Sequence, residues 1–213
     1  MSWARRFGVL LVAGLLLLLL SGCAGSDQSE TGSAHSREWI DATIAAFLVD
    51  THPNSCRVLI TQRFAEQTTA QRGSNAVRSC EEEAQRPDGG AESVRIVKIA
   101  IHGSTAHAGV AITGGDLNGQ VVGMRLLEEA GVWKIDQFTG LVKFDRNALV
   151  QAFAREYRER QESSTEGVGA CVLGVLRHAS TAKIDRYLFS GPADEIGPVY
   201  EECREMQVEK VAD

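Results

Sequence analysis

The sequence predicts an α+β fold. Up to residue 85 the apolar residues recur at helical spacing, and past Arg86-Pro87-Asp88-Gly89-Gly90 the period changes to alternation that lasts to Phe138. The alternating runs are separated by short glycine-containing turns at Gly103-Ser104, Gly114 to Gly119 and Glu129-Ala130-Gly131. A parallel crossover needs about a dozen residues or more, so turns this short make neighbouring strands antiparallel. Three helices followed by a four-stranded meander is the expected order.

Residues 1–22 precede that body. Arg5-Arg6 is followed by an apolar run from Phe7 to Leu20, 14 residues by count, and the stretch closes on Leu20-Ser21-Gly22-Cys23. A spanning helix needs about 20 apolar residues, which argues against a retained transmembrane anchor. The order basic, apolar, small and then cysteine resembles a bacterial lipoprotein signal peptide. That resemblance implies a diacylglycerol thioether on Cys23, cleavage just before it, and a lipid-anchored protein on the extracytoplasmic side of the cell membrane. Residues 23–35, from Cys23 through Ala24 to His35, are small and polar and predict a flexible tether.

Ser36 can cap a first helix whose Trp39, Ile40, Thr43, Ile44, Phe47 and Leu48 share a face, and His52-Pro53-Asn54 ends it. A second helix is expected from about Ser55 to Gln67 with Cys56, Leu59, Ile60 and Phe64 inward. A third runs from about Asn75 to Gln85 with Val77, Cys80 and Ala84 inward, and Glu81-Glu82-Glu83 reads as its solvated face. In the strands, Val97, Ile99 and Ile101 share one side of the first, and Ala106, Ala108, Val110 and Ile112 one side of the second. Val122, Met124 and Leu126 do so in the third, and Trp133 and Ile135 in the fourth. Asp145 can cap a further helix with Leu149, Phe153 and Tyr157 inward. A boundary is expected where Gln161 to Gly167 turns polar, which divides the chain into a body at 36–162 and a helical C-terminal segment at 163–213. In that segment helices are expected around Gly169 to Ala179, Thr181 to Phe189 and Ala193 to Gln207, with a break at Ser190-Gly191-Pro192. Gly197-Pro198 either starts or kinks the last of them.

Without residues 1–22 the chain keeps 20 of its 22 basic and all 28 of its acidic residues, a formal charge of −8. That disfavours nucleic acid and anionic lipid surfaces as partners. Setting Cys23 aside for lipid leaves Cys56, Cys80, Cys171 and Cys203, a number that can pair completely outside the cytoplasm. None of their spacings is that of a C-x-x-C redox or zinc motif, so metal ligation is the lesser alternative. Of the three connectivities, Cys56–Cys80 and Cys171–Cys203 each close a local helical unit. A segment of fewer than about fifty residues rarely holds a core alone, so the C-terminal one needs its bridge, or docking on the body.

The stretch from Trp39 to about Phe144 resembles the NTF2-like superfamily. The resemblance rests on the turn Gly115-Asp116-Leu117-Asn118-Gly119 leading into a strand, then Glu129-Ala130-Gly131-Val132-Trp133-Lys134-Ile135-Asp136. It implies a cone, in which N-terminal helices pack into the concave side of a strongly curved antiparallel four-stranded sheet, with Trp133 closing the sheet against the core. Some members are isomerases or dehydratases that use acidic, histidine or tyrosine groups projecting into the cone, as ketosteroid isomerase does. No motif here matches theirs.

The chain also lacks a G-x-S-x-G elbow, an H-E-x-x-H pair and a Walker loop. His102 and His107 flank the first hairpin turn and face each other only across a four-residue loop; two imidazoles fall short of the three protein ligands usual at a catalytic zinc. Asp116, Asp136 and Asp145 are expected at turns or strand ends. The Gly114 to Gly119 stretch reads as a hairpin turn, since a calcium-binding glycine repeat needs several stacked copies. With apolar side chains inward, the expected role is a non-catalytic binding or scaffold module of the cell envelope. Its expected partner is an apolar small molecule or an envelope protein, with no cofactor and no metal. An isomerase or dehydratase is the alternative that the resemblance keeps open.

Overall fold

A computed structural model describes residues 27–69, 71–85, 90–159, 166–189 and 203. The signal segment, Cys23, the turn at residues 86–89, the polar stretch 160–165 and the expected helix from Ala193 to Gln207 apart from Cys203 lie outside the described residues.

The element order is α1 Asp27–Leu48, α2 Ser55–Val58, α3 Gln62–Thr69, α4 Ser74–Glu83, β1 Ser93–His102, β2 Thr105–Thr113, β3 Val121–Glu129, β4 Val132–Lys143, α5 Arg146–Glu159, α6 Glu166–His178 and α7 Thr181–Phe189. The strands form one antiparallel sheet in the order β1-β2-β3-β4. The α+β class and the meander are therefore those expected.

The first correction falls on α1, which begins at Asp27 within the stretch read as a tether, not at Ser36. No proline interrupts Asp27 to Ser36, so nothing in the backbone chemistry of that stretch stops a helix from extending through it. Near the middle of α1 the Trp39 indole Nε1 donates to His35 Nε2 at 2.7 Å. Trp39 is 53% exposed, while Ile40 and Ile44 are fully buried. The buried stripe is centred on Ile40, Thr43, Ile44 and Phe47, and Trp39 lies off its side.

The expected helix from Ser55 to Gln67 is two helices. Between them Ile60 leaves the helix to pair in parallel with Ile135 of β4, with Ile135 N–H donating to Leu59 O at 2.8 Å and Thr61 N–H to Ile135 O at 2.9 Å. Tertiary strand pairing overrides helical periodicity here. Thr61 then caps α3, its Oγ1 accepting from Phe64 N–H at 3.2 Å.

Bulges decide the rest of the differences. In β1 the register shifts between Ile96 and Lys98, so Val94 and Ile96 before the shift and Ile99 and Ile101 after it pack on the core. Val97, expected inward, is 42% exposed. In β4 three shifts against β3 leave Asp136, Thr139 and Val142 as extra residues, and each such insertion bends and twists the bulged strand. The turn before β4 has two residues, Ala130 at φ 51° and Gly131 at φ 80°, the doubly positive form that suits the twist of a hairpin.

One core lies between the helices and the sheet. Ile40, Ile44, Phe64, Val110, Val122, Met124, Leu126 and Ile135 are buried to 1% exposure or less. Phe47 meets Phe64 edge-on at 5.3 Å, and the ring sequence continues through Phe138 to Phe189 of α7 at 4.9 and 5.2 Å. A second cluster joins Leu149 of α5 to Leu176 of α6 and Ile184 of α7, with Leu141 and Leu188 contributing to both. The C-terminal helices thus dock on β4. Disulfides join Cys56 to Cys80 and Cys171 to Cys203, with Cα atoms 5.9 and 5.6 Å apart. At α5, Asp145 caps as expected, its Oδ1 accepting from Ala148 N–H at 3.0 Å, and the buried Gln120 amide holds the Asp145 backbone by bonds of 2.9 Å in both directions.

Candidate functional site

The site is built on α3, the following turn, β4 and α7. Gln67 of α3 aims its amide at β4: Nε2 donates to Phe138 O at 2.9 Å, and Oε1 accepts from Phe138 N–H at 2.8 Å. The same Nε2 donates to Phe189 O at 2.6 Å, so one side chain joins helix, strand and α7. Asp185 of α7 accepts Leu141 N–H at 2.6 Å on Oδ1. Its carboxylate lies where Gly140, at φ 119°, has no side chain; a Cβ there would come within 2.9 Å of it.

These contacts frame a cleft of about 450 Å³ lined by Arg63, Glu66, Gln67, Arg72, Gln137, Phe138, Thr139, Gly140, Asp185 and Phe189. Its floor is the pair of rings Phe138 and Phe189, each 8% exposed. Arg63 is positioned by β4: Nη2 donates to Gln137 Oε1 at 2.8 Å, and Nη1 stands 3.9 Å from Asp136 Oδ2. On the other side Glu66 Oε1 accepts from Gly73 N–H at 2.8 Å and from Gln62 Nε2 at 2.7 Å. Those bonds, the backbone one first, and the charge of Arg72 hold the Glu66 carboxyl below the usual carboxylate range. It is an ionised group at neutral pH.

Asp136 corrects the sequence reading. It lies within β4, not at a turn or strand end, and is 3% exposed. The bulge between the Arg125 and Leu126 partners turns it to Thr61 Oγ1, which donates to Oδ1 at 3.0 Å, and to Arg125, whose Nε donates to Oδ2 at 2.8 Å and whose Nη2 bonds the same oxygen. Both carboxylate oxygens of Asp136 are therefore engaged by protein donors. The buried polar side chains among the described residues are Thr43, Gln120 and Asp136.

The remaining candidates stand apart from the cleft. His102 pairs with Thr105 and His107 with Ala100, so the loop between the first two strands is the two residues Gly103-Ser104 and the imidazoles do not face each other. Both are exposed, as is Asp116. Beside the Cys56–Cys80 bond, Arg57 pairs with Glu81 and holds its carboxyl below the usual range. Among the described residues no three His, Cys, Asp or Glu side chains are placed to hold a metal ion, and no helix is long and apolar enough to cross a membrane.

The cleft is not legible in the sequence as a site. Its signals were present but indirect: Arg63 and Gln67 on the polar side of a helix, and Phe138 at the limit of the alternating pattern. What assembles them is the set of β4 bulges, which no periodicity announces. Comparison with protein-family models, curated proteins and solved structures returns no match for this chain.

Proposed function

We propose that the chain is a lipoprotein of the bacterial cell envelope, anchored through Cys23 on the extracytoplasmic side, whose α+β body is an NTF2-like module that binds or scaffolds and does not catalyse. The observation that carries this reading is Leu20-Ser21-Gly22-Cys23 closing an apolar run too short to span a bilayer. Two disulfides in one small chain support an oxidising compartment. The NTF2-like assignment is supported by helices packed on one side of a four-stranded meander and by Trp133, 3% exposed, just after the last hairpin turn. The non-catalytic role is supported by the side chains between helices and sheet, which are aliphatic and aromatic, and by the engagement of Asp136 with Arg125. The partner is then a small solute or another envelope protein.

The test is Cys23→Ala expressed in cells fed labelled palmitate. The native chain should carry label and run at the processed length, and the variant should carry none and remain a precursor. One acyl chain gives only marginal attachment and two or three give stable anchoring, so the variant, which carries none, should be held at the membrane only by its uncleaved signal. Labelled, mature-length Cys23→Ala protein would remove the basis for the anchor.

A further inference from the structure

The cleft brings together two guanidinium groups, two carboxylates and two phenyl rings within about 450 Å³, a size in the range of about 300 to 1,000 Å³ typical of small-molecule sites. Its charges are fixed in place unequally. Arg63 is oriented by Gln137 and Asp136, and each carboxylate uses one oxygen for its structural bonds: Glu66 Oε1 for Gly73 and Gln62, Asp185 Oδ1 for Leu141. Glu66 Oε2 and Asp185 Oδ2 take no part in those bonds. Thr139, an exposed residue at a β4 bulge, also lines the cleft.

The sign balance selects the ligand. An anion drawn to Arg63 and Arg72 meets Glu66 and Asp185, and a cation drawn to the carboxylates meets the arginines. The two positive and two negative groups sum to zero, and charges beyond a Debye length of about 8 Å are largely screened, so the cleft itself attracts neither kind of ion by net charge. A molecule carrying both signs a few ångströms apart satisfies both sets, and an apolar body rests on the rings of Phe138 and Phe189.

We propose that this cleft binds a small zwitterion with a short apolar body, in which an ammonium group lies near a carboxylate or phosphate. The proposal deepens the binding-module reading and rests on it. The same chemistry is offered by a free amino acid and by a zwitterionic lipid headgroup.

The test is calorimetric titration of the full-length chain, purified in a sugar-headed detergent, with leucine and with glycerophosphoethanolamine. The controls are 4-methylpentanoate, which lacks the ammonium, and 3-methylbutylamine, which lacks the carboxylate. At least one zwitterion should bind about tenfold more tightly than either control, the value of one charge-assisted contact at a partly solvated site. Tighter leucine assigns the free amino acid as the source, and tighter glycerophosphoethanolamine the headgroup. Arg72→Gln lies on the exposed rim, and Asp185→Asn keeps an oxygen for Leu141; each should weaken binding about tenfold with an unchanged thermal midpoint. Controls that bind as tightly as the zwitterions, absence of binding by both zwitterions, or unchanged affinity in Arg72→Gln would overturn the proposal. None of those results bears on lipidation at Cys23, which the labelling experiment decides separately.

Discussion

Replacing Gln67 by Leu is the sharpest test of how the C-terminal helices are held. The side chain makes bonds of 2.9, 2.8 and 2.6 Å to Phe138 O, Phe138 N–H and Phe189 O. Leucine has a similar volume and leaves all three backbone groups without that partner. At a net value of about 1 kcal/mol per bond the loss approaches 3 kcal/mol. Gln67 is half-buried, so water reaches part of the vacated space and the expected cost falls to about 2 kcal/mol. Urea unfolding with both disulfides intact reads it directly: the slope should hold and the midpoint should drop by roughly 1 M. Hydrogen exchange locates it, because the Phe138 amide should lose protection ahead of Met124 or Leu126. Gln67→Glu, which keeps the acceptor for Phe138 N–H but removes the donor to both carbonyls, should cost at least as much. A loss below about 0.5 kcal/mol in Gln67→Leu would refute the reasoning, since it would mean that water replaces the amide at no cost.

Ala130→Asn should raise the thermal midpoint by about 2 °C, because Ala130 occupies φ 51° in a two-residue turn and a non-glycine residue pays about 1 kcal/mol there that Asn partly avoids; an unchanged or lower midpoint in a calorimeter would contradict this. Asp136→Asn should lower stability by about 2 kcal/mol by leaving Arg125 without its counter-charge, and should reduce cellular abundance in step, whereas His102→Ala should change neither. Loss of the cellular role at normal abundance from either variant, scored by complementation of a deletion strain, would count against the non-catalytic reading. The Glu66 carboxyl titrates below its ordinary 4.5 in the folded chain, so its contribution is fully present above that pH and disappears as the pH falls through the lower folded value. Glu66→Gln should therefore flatten the acid side of the stability profile below pH 4.5 while leaving its shape near neutrality, as followed by unfolding at a series of pH values.

The meander was legible because Ala106 to Ile112 and Val122 to Leu126 alternate without interruption, and a register with no insertion between β2 and β3 follows from that pattern. The order fails where an extra residue enters: Val97 was placed inward by parity and the bulge beside it turned it out. Asp136 is expected near a strand end because the alternation stops at Phe138, whereas β4 runs on to Lys143 and leaves Asp136 within it. The break between α2 and α3 was hidden because Leu59 and Ile60 suit a helix locally, and only the nearness of Ile135, 75 residues later, makes the strand conformation the better one. Pairing of the cysteines was accessible from spacing, since each bond closes a unit of 24 or 32 residues. The cleft was not, because it depends on α7 returning to β4, and no periodic signal encodes which surface a late helix will cover.

The contacts along β4 have a further effect on how the sheet meets other chains. An outermost strand offers unpaired backbone groups that can recruit another strand and start aggregation. β4 has spent those groups: Leu59 and Thr61 hold Ile135, the Gln67 amide stands in for a neighbouring strand at Phe138, and Asp185 takes Leu141. At the opposite border β1 carries a bulge at Val97 flanked by Arg95 and Lys98, the combination of irregular backbone and positive charge that discourages edge-to-edge growth. Protection on the β4 side is borrowed from helices that are themselves held by side-chain bonds and one disulfide, so lifting α7 away re-exposes the amide of Leu141 and makes that border adhesive before the core has opened.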